Sequence, residues 1–204
     1  NQQVRNYLLD VAQYWIKLGA DGWRLDVPNE IDDDDFWAEF RDKVKSINRE
    51  AFLLGEIWTS DTRWVGPNHF DGLMNYPLRE ALLEFLDSTL SASGFAQRME
   101  KLFKLYPHEN AFAMYNLLGS HDTARIRTHL NGDLNLVKSA FTFLFAFPGI
   151  PSIYYGDEIG ITGGKDPECR AAFIWEKSTW NAELHAWVKT LISNRKRIPA
   201  IRRG

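Results

Sequence analysis

Arg24 and Asp26 are the first residues in this sequence whose types and spacing suggest chemistry. They lie in residues 18–30, where small or apolar side chains alternate with charged ones as in a short strand. Side chains two positions apart on a strand share a face, so the guanidinium would hold the carboxylate ionised and lower its pKa, which suits a nucleophile or an electrostatic stabiliser. A structural ion pair is the alternative interpretation of an isolated Arg-x-Asp.

Three further acidic residues occur at the ends of apolar runs that we predict to be strands: Glu56 in 51–58, Asp122 after 111–118, and Asp157 after 149–156. The C-terminal ends of parallel strands meet at one edge of a sheet, where such folds carry their chemistry. Asp26 and Glu56 are separated by about one strand-helix unit. We therefore expect adjacent strands to bring these two carboxylates together.

Amphipathic segments between these runs predict the helices that position them: 1–18, 36–47, 77–86, 94–106, 134–147 and 181–197. The first of these has its apolar residues on one face, formed by Val4, Leu8, Val11, Trp15 and Leu18. Strand and helix alternate about five times, which predicts an α/β fold with a parallel sheet.

The composition excludes several classes of partner. The net charge of -3 and the pI of about 6.0 leave no basic footprint for nucleic acid and no polybasic membrane patch, so a neutral polar ligand is favoured. The apolar stretch 140–151 is too short to span a bilayer. Cys169 is the single cysteine, so no internal disulfide can form. The cysteine content does not determine the cellular compartment, and we favour the cytoplasm over secretion.

The acidic run 32–35 stands immediately before a predicted helix. Acidic residues are favoured there as N-caps and by the helix dipole. We prefer this interpretation to a calcium site, whose oxygen ligands would be distributed around a loop.

The strand-end carboxylates suggest glycoside chemistry. A retaining glycosidase needs an ionised carboxylate as nucleophile and a protonated one as acid, about 5 to 5.5 Å apart. Asp26, paired with Arg24, suits the first role, and Glu56, in an apolar setting that would raise its pKa, suits the second. Asp122 could hold two sugar hydroxyls. His121 is a hydroxyl donor or a capping residue, while Trp58, Tyr154 and Tyr155 offer flat faces for sugars or serve in packing.

Three segments, 22–30, 55–58 and 117–122, resemble ordered motifs of the α-amylase family of glycoside hydrolases. Residues 149–158 are similar to that family's last barrel strand, and 163–170 to the loop that follows it. The sequence of residues 27–30 is close to the form of this motif that is typical of neopullulanase, cyclomaltodextrinase and maltogenic amylase, and Pro28 differs from that form.

The resemblance implies a role for each matching residue. Asp26 would be the nucleophile, Glu56 the general acid and base, and Asp122 the transition-state stabiliser. The residues implied in substrate binding are Arg24, His121, Asp166 and Arg170 at the cleaved bond, with Asn29, Glu30 and Trp58 on the acceptor side. The implied activity is retaining hydrolysis, by double displacement, of α-1,4 and also α-1,6 bonds in maltooligosaccharides, cyclodextrins, pullulan or starch.

The implied fold is a (β/α)8 TIM barrel, of which residues 1–204 would supply strands four to eight. The chain begins within a helical pattern, so we expect a C-terminal portion of the catalytic domain without its earlier strands and accessory domains. No cofactor and no metal ligand are expected among these residues, although the full-length protein could bind calcium elsewhere. The expected partners are an α-glucan oligosaccharide and either a second copy or the missing half of the barrel.

Two other interpretations stay open at this stage. The chain could be a half-barrel that folds or self-associates but is inactive alone. It could also be an unrelated doubly wound domain for a phosphorylated ligand, against which no glycine-rich phosphate loop follows the first strand.

Overall fold

The computed structural model describes residues 1–203, which form two compact units. The first unit comprises Asn1–Asn75 and Phe103–Tyr115, and the second comprises Tyr76–Leu102 and the chain from Asn116 onward. The α-helices of this part of the chain are α1 (Gln2–Lys17), α2 (Asp34–Ile47), α3 (Tyr76–Leu86), α4 (Ala92–Leu105), α5 (His108–Ala113), α6 (Ile126–His129), α7 (Leu134–Ala146), α8 (Ala182–Arg197) and α9 (Pro199–Arg203). Its strands are β1 (Gly22–Leu25), β2 (Phe52–Gly55), β3 (Gly72–Leu73), β4 (Tyr115–Leu117) and β5 (Ile150–Ser152).

A parallel sheet in the order β1-β2-β3 forms the centre of the first unit. Gly22 is paired with Phe52, and a Cβ on Gly22 would lie only 2.0 Å from the Phe52 carbonyl oxygen, so the close approach of β1 and β2 requires glycine. Leu53 is fully buried within β2, as expected for a strand covered on both faces. The predicted parallel pairing of these two strands is confirmed.

The apolar face that indicates the helix α1 is not the face that this helix buries. Val4, Leu8, Trp15 and Leu18 are exposed, and the helix instead buries the adjoining face, which consists of Leu9, Ala12 and Ile16. This face packs against α2, and the small side chain of Ala12 leaves its carbonyl within 3.1 Å of the Trp23 indole nitrogen, which donates to it. Helix α1 carries apolar residues on both faces, and only tertiary packing selects between them.

Helix α2 follows the prediction. Asp33 is its N-cap, and its carboxylate accepts a hydrogen bond of 2.8 Å from the Phe36 backbone N–H. The buried face of the helix consists of Phe36, Trp37, Phe40 and Val44. Capping of α2 therefore accounts for one of the four acids in the run 32–35.

Apolar helices form the core of the second unit, in which α3 buries Leu78 and Leu82. The ring of Phe95 in α4 stacks on Phe85 at 4.7 Å and contacts Phe143 of α7 at 5.1 Å. Strand β4 pairs with β5. Within residues 1–203, none of the helices combines the length and apolar character that crossing a bilayer requires.

The strands in the runs 51–58, 111–118 and 149–156 are all shorter than those runs. The run 111–118 divides into the end of α5 and then β4, because Pro107 at the N-cap position begins a helical turn that includes Ala111. In 149–156 only Ile150–Ser152 is strand, since Pro151 has no N–H to donate and Gly156 turns the chain at a positive φ of 87°. The short helices α6 and α9 are additions that the apolar periodicity does not predict.

Candidate active site

In the first unit, Arg24 bridges the two carboxylates that follow β1 and β2. Its Nη1 forms an ion pair with Asp26 Oδ1, and its Nη2 lies 2.6 Å from Glu56 Oε1. Asp26 directly follows β1 and Glu56 directly follows β2, so the parallel pairing of these strands places them side by side. Arg24 therefore contacts Glu56 as well as its expected partner Asp26, because the guanidinium reaches across the strand pair.

The two carboxylates lie in different surroundings. The Asp26 side chain is 75% exposed, whereas that of Glu56 is 3% exposed. Glu56 also accepts a hydrogen bond of 3.2 Å from the Val27 backbone N–H, and its own N–H donates to the Leu25 carbonyl at 3.0 Å. One carboxylate is therefore open to an incoming molecule, and the other is fixed in a buried position.

The backbone of Val27, which directly follows Asp26 and donates to Glu56, is strained. Its φ of 33° and ψ of 56° lie in the left-handed region, which is rare for a β-branched residue. Such a conformation costs on the order of 1–3 kcal/mol and persists only where the surrounding structure enforces it. Here it aims the Val27 N–H at Glu56 and turns the chain into the 3-10 turn Pro28–Glu30.

That turn carries Asn29 and Glu30, both exposed. The Asn29 amide nitrogen lies 3.4 Å from a Glu30 carboxylate oxygen. Trp58, two residues beyond Glu56, is 40% exposed. The structure therefore leaves these three residues, predicted for the acceptor side, accessible to solvent.

In the second unit, Asp122 is held by two of the residues predicted with it. Its Oδ2 lies 3.0 Å from His121 Nε2, and its Oδ1 accepts a 3.0 Å bond from Arg170 Nη2. Arg170 Nε is also 3.0 Å from Asp166 Oδ1. The four residues implied at the cleaved bond in this part of the chain thus form one cluster: His121, Asp122, Asp166 and Arg170.

A tight turn presents Asp122. The Ser120 N–H donates to Thr123 Oγ1 at 2.9 Å, and the Asp122 N–H donates to Ser120 Oγ at 3.2 Å. Tyr76 contributes from α3, because its hydroxyl lies 3.2 Å from the same Ser120 Oγ. These bonds fix the turn independently of Arg170.

Sequence reasoning missed Arg125. This side chain is fully buried, and its Nη1 lies 3.2 Å from Asp157 Oδ1. Burial raises the pKa of Asp157 to about 7, with a further contribution from Glu158, while Arg125 and Arg79 act in the opposite direction. The sequence pattern identifies Asp157 only as a strand-end acid. The available signal for Arg125 is its position three residues after Asp122.

Of the two interpretations of Tyr154 and Tyr155, as flat faces for sugars or as packing residues, the contacts in the structure favour packing. The Arg125 guanidinium carbon lies 4.3 Å and 4.6 Å from the two ring centroids, so it covers part of both rings. The Tyr154 hydroxyl donates to the Cys169 carbonyl at 3.3 Å, and that of Tyr155 donates to the Ala171 carbonyl at 2.9 Å. Both tyrosines therefore serve as supports for residues 169–171.

Within residues 1–203, no group of three or more His, Cys, Asp or Glu side chains is arranged to hold a metal ion. Three acids of the run 32–35 contact basic groups, and Asp33 pairs with Arg5 at 3.1 Å. Arg63 pairs with Asp32 and with Asp34, and His69 Nε2 lies 3.0 Å from Asp34 Oδ1. These contacts lower the pKa of Asp34, Arg63 contributing most.

Comparison with known proteins agrees with the motifs. Residues 1–202 match the profile of the family described as alpha amylase, catalytic domain. The chain is 50% identical over 99% of its length to a cyclomaltodextrinase of Geobacillus thermopakistaniensis (strain MAS1), of which it covers 34%. It is 42% identical over its whole length to neopullulanase 2 of Thermoactinomyces vulgaris, of which it covers 35%.

Among solved structures, the cyclic α-maltosyl-(1→6)-maltose hydrolase of Arthrobacter globiformis, in complex with cyclic α-maltosyl-(1→6)-maltose, superposes with a TM-score of 0.98. It is 41% identical, and the match covers 100% of this chain and 46% of that one. The chain spans about a third of the length of the curated relatives it matches. The resemblance to the cyclomaltodextrinase and neopullulanase subgroup is confirmed, and the chain belongs to the α-amylase catalytic-domain family, a TIM-barrel family of glycoside hydrolases.

Proposed function

We propose that the protein carrying this chain is a retaining α-glucan hydrolase that works by double displacement. The observation that carries this proposal is the pair of strand-end carboxylates, Asp26 exposed and Glu56 buried, that share the guanidinium of Arg24. Two carboxylates in unlike surroundings are what the acid and nucleophile roles require.

In the proposed reaction, Asp26 attacks the anomeric carbon while Glu56 transfers its proton to the glycosidic oxygen, and the leaving sugar departs. Glu56, now a carboxylate, takes a proton from water while the water oxygen attacks the anomeric carbon and the bond to Asp26 breaks. This single proton transfer restores the protonated form of Glu56. Arg24 contacts both carboxylates and orients them. Asp122, fixed by His121 and Arg170, would accept hydrogen bonds from sugar hydroxyls at the reacting ring.

The proposed substrates are maltooligosaccharides, cyclodextrins, pullulan or starch, cleaved at α-1,4 and also at α-1,6 bonds. Support comes from the names of similar proteins, which include a cyclomaltodextrinase, a neopullulanase and a cyclic α-maltosyl-(1→6)-maltose hydrolase. Asn29, Glu30 and Trp58 are proposed for the acceptor side, where their exposure leaves them accessible to the second sugar. Asp166 is proposed to act with Arg170 at the cleaved bond.

We also propose that residues 1–204 form the C-terminal portion of the catalytic barrel, with β1 to β5 as its fourth to eighth strands. We expect no metal ligand among these residues, and any calcium would bind elsewhere in the full-length protein. This assignment is supported by the order of the motifs and by the share of each relative that the chain covers.

Replacing Glu56 tests the mechanism. In the full-length protein, Glu56→Gln and Asp26→Asn should each lower kcat/KM on a cyclodextrin at least about 100-fold, the usual contribution of acid-base or nucleophilic groups. Release of reducing sugar measures the rate, and NMR of the first product should show the α-anomer. Glu50→Gln is the matched control, because Glu50 is an exposed acid in the turn before β2. Equal activity of Glu56→Gln and the wild type would refute the assignment.

A second interpretation applies to the chain alone, as a half-barrel that folds or self-associates without activity. The exposed apolar face of α1, formed by Val4, Leu8, Trp15 and Leu18, favours it. A 204-residue monomer that hydrolyses cyclodextrin at ordinary enzyme rates would contradict this interpretation.

A further inference from the structure

Arg125 and Asp157 form a buried pair that touches both ends of the segment bearing Asp122. Arg125 ends this segment, and its backbone N–H donates to the Gly163 carbonyl at 3.0 Å. At the other end, a Cβ on Gly119 would lie 2.8 Å from Asp157 Oδ2, so the glycine backbone packs directly on this carboxylate. The pair therefore restrains both ends of the segment 119–125, which contains the turn that presents Asp122.

The same guanidinium also supports the residues that carry Arg170. It covers the rings of Tyr154 and Tyr155, and its Nη1 donates to the Tyr155 carbonyl. The two tyrosine hydroxyls bond the carbonyls of Cys169 and Ala171, the residues on either side of Arg170. A continuous set of contacts thus joins Arg125 to the guanidinium that holds Asp122.

A second contact closes this network. Cys169 Sγ lies 3.2 Å from the His121 carbonyl, and Arg170 Nε donates to the same carbonyl at 3.0 Å. Residues 169–170 are therefore bound to the backbone of the turn as well as to the Asp122 side chain.

Stability alone does not account for the Arg125–Asp157 pair. Within residues 1–203, Arg125 Nε and Nη2 and Asp157 Oδ2 are buried without a hydrogen-bond partner. Unsatisfied buried groups and buried ion pairs are costly, and apolar replacements of such pairs are often more stable. A geometric role explains why both groups are placed here.

We propose that Arg125, held by Asp157, is a positioning residue for the reaction: through Tyr154 and Tyr155 it fixes Arg170 against Asp122. This inference rests on the proposed glycoside hydrolase function, because the group it positions is the proposed transition-state stabiliser. Arg125 touches no sugar in this scheme, and its influence reaches the substrate only through Arg170 and Asp122.

A double-mutant cycle with Arg170 tests the proposal in the full-length protein. Arg125→Lys keeps the charge but loses the planar group over both rings, so kcat on a cyclodextrin should fall about 10- to 100-fold, as for a misplaced catalytic group, with KM changed less than about 3-fold. In an Arg170→Lys background, Arg125→Lys should lower kcat less than about 3-fold, because the contact between residue 170 and Asp122, which Arg125 supports, is already altered.

Arg195→Lys is the matched control. Arg195 is a partly buried arginine of the second unit, and it donates to the Phe145 and Phe147 carbonyls at 2.6 Å and 3.2 Å. Its replacement should lower Tm while leaving kcat unchanged. The positioning role would be overturned if the kcat losses of Arg125→Lys and Arg170→Lys multiplied in the double variant. It would also be overturned if Arg125→Lys lowered Tm without lowering kcat.

Tyr155→Phe keeps the proposal testable if Arg125→Lys does not fold. It removes the hydroxyl that bonds the Ala171 carbonyl and leaves the ring in place, so kcat should fall about 3- to 10-fold, in line with a lost hydrogen bond, and this loss should disappear in the Arg170→Lys background. An unchanged kcat for a folded Tyr155→Phe protein would refute the proposal. Wild-type protein without glucan hydrolysis would instead refute the proposed function, and the positioning role with it.

Discussion

At the scale of single residues, identical chemical groups acquire different roles from their surroundings. Asp26 and Glu56 are both carboxylates in contact with Arg24, but the first is exposed and the second is buried and bonded to the Val27 backbone. Asp157 shows a third environment, in which burial dominates over the nearby guanidinium of Arg125. The exposed surface and hydrogen bonds around each acid, more than its type, decide what it can do.

The raised pKa of Asp157 predicts a specific pH dependence of stability. Its folded-state pKa of about 7 exceeds the ordinary value of 3.8, so between these values the folded protein binds a proton that the unfolded chain does not. The contribution of Asp157 to the free energy of unfolding is therefore largest at low pH and declines as pH rises toward about 7, by up to about 1.4 kcal/mol per pH unit.

Denaturant unfolding of the wild type and of Asp157→Asn at several pH values between about 5 and 8 measures this effect. The difference in unfolding free energy, wild type minus variant, should decrease as pH rises and become constant above the folded pKa, because asparagine does not titrate. A difference that increases with pH would mean that Arg125, and not burial, controls the pKa of Asp157.

At the scale of elements, the first part of the site depends on how closely β1 and β2 pair. Asp26 and Glu56 can share Arg24 only because the two strands are adjacent, parallel and in a register that aligns Leu25 with Gly55. Glycine permits this approach at Gly22, where the Phe52 backbone occupies the space of a side chain. Strand geometry and site geometry are therefore linked.

Gly22→Ala should disrupt this pairing. Its Cβ would lie 2.0 Å and 2.8 Å from backbone atoms of Phe52, and these atoms cannot move without breaking the β1-β2 ladder. We therefore expect a loss of several kcal/mol in unfolding free energy, in the range seen for overpacked cores and above. Gly94→Ala in α4 is the control. Its Cβ would meet only side-chain atoms of Leu90 and Ser91, and alanine favours a helix. Thermal or urea unfolding of both variants distinguishes the outcomes, and equal effects would contradict the argument.

At the scale of the whole molecule, the exposed apolar side chains of α1 are the feature that calls for explanation. Half or more of each of these side chains is exposed on this one helix and at its C-cap: Val4, Tyr7, Tyr14, Trp15 and Leu18. Several exposed apolar side chains on one helix are typical of a contact region. The chain covers about a third of its curated relatives, which have further chain available to cover such a face.

We expect the 204-residue chain alone to self-associate through this face of α1. Trp15→Lys should lower the association measured by light scattering across a concentration series, because a charge replaces a ring that is 50% exposed. Ser193→Lys, an added charge on the exposed face of α8, should leave association unchanged. A wild-type chain that stays monomeric at all concentrations would refute this expectation.

Local patterns in the sequence determined much of this protein. The alternation of apolar runs and amphipathic segments predicted the order of strands and helices, because burial of side chains follows the period of each element. The acidic run before Phe36 predicted the N-terminus of α2, since capping is a contact between residues three apart. The segments 22–30, 55–58 and 117–122, which contain Asp26, Glu56 and Asp122, indicated the family by their resemblance to its motifs, and the comparisons confirmed it.

Tertiary structure alone decided the rest. It selected the Leu9 face of α1 over the equally apolar Trp15 face, gave Arg24 two carboxylates in place of one, and buried Arg125 beneath two tyrosines. Each of these outcomes depends on residues that are distant along the chain, and sequence periodicity carries no information on which distant surfaces meet. The sequence therefore determined which residues could do chemistry, and packing between distant segments determined the surroundings in which they do it.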